Sequence, residues 1–283
     1  MDTVDLPPHR SIAIAVAPNG GRRTRVDHPA IPLTAAELAR CAAECFDQGA
    51  AMIHVHVRDA AGGHLLDAGA YREATAAIRA EVGDRLLVQI TTESLGLYGP
   101  AEQAAVLKAV RPEAASLALR ELAPDDGAEP AFADLLAWMG REEVIPQIIL
   151  YDPAEAVRLA DMIGRGVVPW KDVPVLYVLG RYVAGQTAQP ADLLPFLGPG
   201  MPRFANWSVC AFGRHEAACV TAGALLGGHV RIGFENNLML PGGAPARSNA
   251  ELVANLAATL RALGFGLRTA AEMRNAQSAV MMH

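Results

Sequence analysis

From residue 53 to residue 58 apolar and polar positions alternate without a break. Ile53, Val55 and Val57 fall on one side and His54, His56 and Arg58 on the other. A period of two with β-branched residues predicts a strand, here residues 51–59, whose two histidines leave the same face. On a wet strand face such a pair would be surface decoration. The apolar flank from Ala51 to Val57 instead predicts a strand buried on its outer side. The histidines then turn into an interior, where unpaired imidazoles would be costly and a shared metal ion would satisfy them.

The same reading along the chain predicts strands at residues 11–17, 51–59, 86–91, 114–119, 144–151, 173–179, 203–210 and 229–234. Helices are predicted at 34–48, 67–82, 100–110, 129–139, 153–163, 190–196, 215–226 and 248–263. Several carry explicit boundary signals. Thr34 and Ser248 are N-caps with Glu37 and Glu251 three residues on, Asp152 opens a helix that Gly164 closes, and Pro100 sits in a first turn. Pro18-Asn19-Gly20-Gly21 is a turn after the first strand.

Eight strands alternating with eight helices predict a (β/α)8 TIM barrel forming one domain over residues 1–283. The alternative, a doubly wound open sheet, would usually carry a glycine fingerprint after strand one, which the Pro18 turn does not match.

At 283 residues with 52% apolar composition, the chain can bury a large core. A net charge of -6 and a pI near 5.8 argue against nucleic acid as a partner. The one basic cluster, Arg22, Arg23 and Arg25, could still serve an anionic small molecule. No apolar run is long enough to span a membrane, and residues 1–10, with Asp2, Asp5 and two prolines, lack a secretory h-region. Cys41, Cys45, Cys210 and Cys219 are too few and too irregular for a disulfide framework, so a cytoplasmic location is expected.

In a barrel of this kind the chemistry sits at the carboxyl ends of the strands. The polar residues there include Asn19, His54, His56, Gln89, Thr91, Thr92, Glu93, Arg120, Glu121, Tyr151, Asp152, Ser208, Cys210, Arg231, Glu235, Asn236 and Asn237. A third metal ligand is needed. His9 and His64 read as loop residues, His283 is terminal and His229 begins strand eight at the opposite mouth; Glu235, at the carboxyl end of strand eight, is better placed. Arg231, Gly233 and Glu235 share a face by the period of two, so Arg231 should point inward below the carboxylate, in a catalytic role or in a structural ion pair. Lys108 and Lys171, the only lysines, are both misplaced for a Schiff base, leaving a mononuclear Lewis acid.

Three blocks extend this reading: Ile53 to Asp59, Gly227 to Asn237, and Ser248 to Val253. Together with Asp27 to Pro32, Gln89 to Thr92 and Val209 to Arg214, they resemble the beta-keto acid cleavage enzymes over nearly the whole chain. The resemblance implies a zinc-dependent barrel, a homotetramer, that moves an acyl group from a beta-keto acid to CoA, with acetyl-CoA as co-substrate and acetoacetate as product. It implies His54, His56 and Glu235 as zinc ligands, with Arg231 and Thr91 in the catalytic set. Asn19, Arg22, Thr92, Arg120 and Glu121 are expected to form the substrate pocket.

This sequence also departs from the family. Asn236 stands where the family carries its general-base aspartate, and an amide cannot take that proton. Arg22 stands where the aminohexanoate-cleaving members carry an acid for the substrate's amine, which points to a neutral or anionic side chain. Glu93 stands where the family often has glycine, and Glu121 where a small polar residue is usual. Either Glu93 or Glu121 takes over proton transfer, or both pair with Arg120 or Arg22 and shape the pocket. A CoA-independent lyase or hydrolase and a catalytically silent keto-acid binder are the competing readings.

Overall fold

The computed structural model describes residues 10–281. Eight parallel strands close into a barrel: β1 (Ile14–Val16), β2 (Met52–Val55), β3 (Leu87–Thr91), β4 (Ala114–Ala118), β5 (Ile145–Leu150), β6 (Val175–Leu179), β7 (Trp207–Ala211) and β8 (His229–Ile232). Each strand pairs with its sequence neighbours, and β8 returns to β1 with Arg231 opposite Ala15. Helices α1 (Ala35–Asp47), α2 (Ala68–Val82), α3 (Pro100–Val110), α4 (Glu129–Arg141), α5 (Pro153–Gly164), α6 (Leu194–Leu197), α7 (Glu216–Leu226) and α8 (Asn249–Ala262) follow the strands in turn. The molecule is a (β/α)8 TIM barrel, and no helix among the described residues is long and apolar enough to cross a membrane.

The strands are short and buried on both faces, so their alternation sorts two cores. Outward residues such as Ile14, Ile53, Val88, Ile90, Leu117, Ile148 and Val209 pack under the helices. Inward residues stack in layers: Ala15, Met52, Leu87, Ala114 and Ile145 at the amino end, and Ala118, Ile149, Leu176, Val178 and Phe212 near the carboxyl end. A polar layer lies between them. His54 and Gln89 are register partners, as are Ser116 and Gln147.

Past β8 the chain crosses the amino end. Gly266–Leu267 pairs in parallel with Ser11–Ile12, and α9 (Ala270–Met281) seals the bottom with Ala270 and Met273. His229 lies there too, with Ala13 N–H donating to Nδ1 at 3.2 Å and the Arg268 guanidinium 3.0 Å from Nε2. Burial, then Arg268 and Arg10, push its pKa down to about 4. The native imidazole therefore stays neutral where the unfolded one, near 6.5, takes a proton. Its contribution to stability is complete above about pH 6.5 and is lost as the pH falls toward 4. Urea titrations of wild type and His229→Gln should converge by up to about 2 kcal/mol between pH 7 and pH 5.

The structure differs from the sequence reading in several places. Strand 11–17 divides into Ser11–Ile12 and Ile14–Val16, strand 203–210 begins at Trp207, and the helix Ala270–Met281 was not expected. The stretch 51–59 is not one strand: β2 ends at Val55, and Val57–Arg58 pairs antiparallel with His64–Leu65. His64, read as a loop residue, is thus buried in a strand. Residues 190–196 form a 3-10 turn, Pro190–Leu193, before α6, because prolines at 190 and 195 interrupt regular helix. Strand eight stops at Ile232, because Gly233 has φ +145° and lies so close to Ala17 that a Cβ would sit 2.3 Å from its carbonyl oxygen. His9 and His283 lie outside the described residues.

Candidate active site

At the carboxyl end of the barrel, His54 and His56 point into the mouth with Nε2 atoms 3.1 Å apart. Glu235 approaches from the loop after β8, its Oε2 3.4 Å from His56 Nε2 and 3.7 Å from His54 Nε2. Among the described residues this is the one His/Cys/Asp/Glu group arranged to hold a metal ion. Ligand atoms on a tetrahedral ion with bonds of about 2.0–2.1 Å are separated by about 3.3 Å, so the three edges match a divalent ion at their centre.

The hydrogen bonds around the triad prepare it for that role. Gln89 Nε2 donates to Gln147 Oε1 at 3.1 Å, which turns Gln89 Oε1 toward His54 Nδ1 at 2.8 Å. Nδ1 therefore carries the proton, and Nε2 presents a lone pair. Burial, then Arg231, push the His54 pKa down to about 3, so the ring is neutral at physiological pH. Burial alone would raise the Glu235 carboxyl, but Arg231, His56 and His54 outweigh it and hold it well below the usual carboxylate range. Its Oε1 accepts from Arg231 Nη2 at 3.1 Å, while the buried Oε2 has no hydrogen-bond partner. A buried anionic oxygen aimed at two imidazole lone pairs is satisfied by a cation.

A narrow cavity opens above the triad, walled by Thr91, Glu93, Ile149, Tyr151, Val178, Arg181, Phe212 and Arg231. Beyond Glu93, Arg181, Phe212 and Glu235 it continues into a second small chamber, lined by residues 19–23 and Gln186. Glu93 Oε2 lies 3.9 Å from His56 Nδ1, and Glu93 Oε1 pairs with Arg181 Nη2 at 3.2 Å. Arg231 keeps two donors, Nε and Nη1, buried without partners. Cys210 accepts from Arg231 Nη2, but burial pushes its thiol up to about 11, so it is no nucleophile. A wider surface groove between α1 and α2, lined by Arg25, Thr34, Asp59 and Glu73, contains no histidine.

A sequence model of the beta-keto acid cleavage enzyme matches residues 11–277. The chain belongs to this family. Like the other beta-keto acid cleavage enzymes it is an enzyme of acyl transfer with carbon–carbon bond cleavage. It is 28% identical to the 3-keto-5-aminohexanoate cleavage enzyme of Acetoanaerobium sticklandii, over 93% of this chain and 96% of that protein. It is 26% identical to the 3-oxoadipate:acetyl-CoA acetyltransferase of Cupriavidus necator, over 92% of each. Its fold also resembles that of ObcA, solved with a C4-CoA adduct and oxalate, with a TM-score of 0.68 at 18% identity over 88% of this chain and 68% of that one.

Within the beta-keto acid cleavage family, this structure gathers only some of the expected residues at the mouth. His54, His56, Thr91, Glu93, Arg231 and Glu235 line the inner cavity, and Asn19 and Arg22 the outer chamber. Thr92 turns away, its hydroxyl donating to Ser116 O at 2.9 Å. Glu121 accepts from Ser94 N–H and Gln103 Nε2 outside the cavity, and Arg120 pairs with Glu155 at 2.6 Å while stacking on Tyr151 and Tyr182. Both occupy the helical turn Leu119–Leu122, whose geometry sends them sideways. The expected pairing of Glu93 and Glu121 with Arg120 or Arg22 is absent among the described residues. Asn236 is fully buried with neither amide atom hydrogen-bonded and does not line the cavity.

Two neighbours escaped the sequence reading. Arg181, two residues beyond β6, reaches the cavity because Gly180, at φ +77°, turns the chain there. A polar residue at the end of strand six was the available signal. His64 closes the underside of Glu93, with Nε2 2.7 Å from its carbonyl oxygen.

Proposed function

We propose that this chain is a zinc-dependent beta-keto acid cleavage enzyme that converts a beta-keto acid and acetyl-CoA into acetoacetate and a new acyl-CoA. The observation that carries the proposal is the His54, His56 and Glu235 triad, with its unsatisfied carboxylate oxygen, in a member of this family. A divalent ion bound there supplies a Lewis acid for the keto acid's carbonyl, and a donor set of two imidazoles and one carboxylate suits zinc.

The surrounding side chains divide the remaining work. Arg231 directs Nε and Nη1 at the substrate's carboxylate or its developing oxyanion. Thr91 Oγ1 accepts the Glu93 N–H at 3.0 Å, which leaves its own hydroxyl proton available to the cavity. Ile149, Val178 and Phe212 exclude water. Because Glu121 lies outside the cavity and Asn236 cannot accept a proton, Glu93 is the carboxylate placed to take one from the substrate. CoA would enter from the side of the outer chamber, which shares Glu93, Arg181, Phe212 and Glu235 with the inner cavity. Exposed Val157, Leu194, Leu225 and Leu226 on α5, α6 and α7 offer apolar surface for association between copies of the chain, of which the homotetramer implied by the resemblance is one form.

Acetoacetate release from zinc-loaded protein, with and without acetyl-CoA, tests the reading. CoA-dependent release supports it, release without CoA favours the lyase or hydrolase, and no release with any keto acid favours a binder. Glu93→Gln separates two roles. As the proton acceptor, Glu93 should cost about a hundredfold or more in kcat when replaced, with zinc retained. If it instead only orients His56 through Nδ1, the variant loses about 10–100-fold in zinc affinity and recovers its rate at saturating zinc.

A further inference from the structure

We propose that Glu216 and Asn249 are positioning residues, which fix the turn after β8 so that the Glu235 carboxylate stands at the metal position before any ion arrives. The inference rests on the metal reading above and concerns what holds the third ligand. Glu235 lies beyond the end of β8, in the turn from Gly233 to Asn237, and all five backbone N–H groups of that turn are bonded. Two of the bonds are internal, from Asn236 and Asn237 to the Gly233 carbonyl at 2.8 and 3.1 Å. The other three reach distant parts of the chain. Glu235 N–H donates to Ala17 O at 3.1 Å, Gly233 N–H to Glu216 Oε1 at 3.0 Å and Phe234 N–H to Asn249 Oδ1 at 2.8 Å. Two of these three anchors are side chains, and both are buried.

Each of the two side chains makes a second bond that stiffens the turn. Glu216, the first residue of α7, accepts from Asn237 Nδ2 at 3.2 Å through its other oxygen, so it grips the turn at both ends. Asn249, the first residue of α8, donates through Nδ2 to Pro18 O at 3.0 Å and joins the turn to the loop after β1. On that loop Gly20 lies so close to Glu235 that a Cβ would sit 2.6 Å from its Cγ. The carboxylate has an electrostatic reason to leave this position. Without an ion, Glu235 Oε2 is a buried anionic oxygen with no hydrogen-bond partner, 3.4 Å from His56 Nε2. A loose turn would let it swing toward water, and an arriving ion would then have to order it. A turn held by Glu216 and Asn249 keeps the ligand in place and removes that entropy loss from metal binding.

Zinc affinity of the full chain, read by competition with a chelator, should fall about 10–100-fold in Asn249→Ala and in Glu216→Gln, the second of which keeps the side-chain volume. In a Glu235→Ala background the same substitutions should change zinc affinity by no more than about twofold, because the ligand they position is gone. A merely structural role would weaken zinc binding by the same factor in both backgrounds. Hydrogen exchange of the metal-free chain reads the turn without zinc. The Glu235 and Asn237 amides, whose own acceptors are untouched, should exchange at least about tenfold faster in either variant, while the amides of β2 keep their wild-type rates. Equal zinc losses with and without Glu235, or unchanged exchange at Glu235 and Asn237, overturn the proposal. If wild type binds no zinc, the metal reading fails, and the exchange comparison still decides whether these two side chains hold the turn.

Discussion

His56→Ala should yield a folded barrel that retains no zinc and releases acetoacetate at least about a thousandfold more slowly, the loss expected when several kcal/mol of Lewis-acid stabilisation disappear. The imidazole lies at the centre of the proposed ligand set, with Nε2 3.1 Å from His54 Nε2 and 3.4 Å from Glu235 Oε2. Its Nδ1 makes no hydrogen bond, so its removal leaves no backbone or side-chain partner stranded. The metal-free variant should therefore melt close to metal-free wild type, while zinc raises the melting temperature of wild type alone. Chelation of wild type should reproduce the loss of activity, and added zinc should restore wild type but not the variant. A variant that keeps one zinc per chain and a rate within tenfold of wild type would remove His56 from the ligand set.

That a metal site could be read at all depends on how locally its parts are written. The period of two from Ile53 to Arg58 places both imidazoles on one face, and they face the same cavity although β2 ends between them. Arg231 and Glu235 were expected together from strand periodicity, yet they meet for a different reason. The strand stops at Ile232, Gly233 turns the chain, and Glu235 N–H is anchored on Ala17 O at 3.1 Å. The barrel itself was legible because each helix carries its own boundary signals, such as the reciprocal Thr34 and Glu37 hydrogen bonds.

What stayed hidden depends on the direction taken by a side chain after its strand has ended. Arg120 and Glu121 follow β4 as Arg181 follows β6, and nothing in their immediate sequence says which will face the mouth. One helical turn sends the first two toward Glu155 and Gln103, whereas a left-handed glycine sends Arg181 to Glu93, eighty-eight residues away. Arg58 was likewise visible only as the last polar residue of an alternating run, and its carbonyl partners come from two loops that the fold brings together. Such contacts are tertiary, and no local pattern encodes them.

Arg231→Met should move three measurements in directions that no generic destabilisation reproduces. The guanidinium is buried, and Glu235 is its one charged partner among the described residues. Removing it from metal-free protein leaves a buried carboxylate without its cation, so unfolding should become easier by about 3–5 kcal/mol. The same change removes a fixed positive charge from beside the site where a divalent ion would bind, so zinc affinity should rise and zinc should recover most of the lost stability. Catalysis should nonetheless fall by about a hundredfold or more at saturating zinc, because the two unpartnered donors Nε and Nη1 go with the side chain. Denaturant titrations with and without zinc, competition for zinc against a chelator of known affinity, and acetoacetate release read the three effects separately. Weaker zinc binding together with unchanged metal-free stability would mean that Arg231 does not compensate Glu235. Full activity would mean that its free donors never meet the substrate.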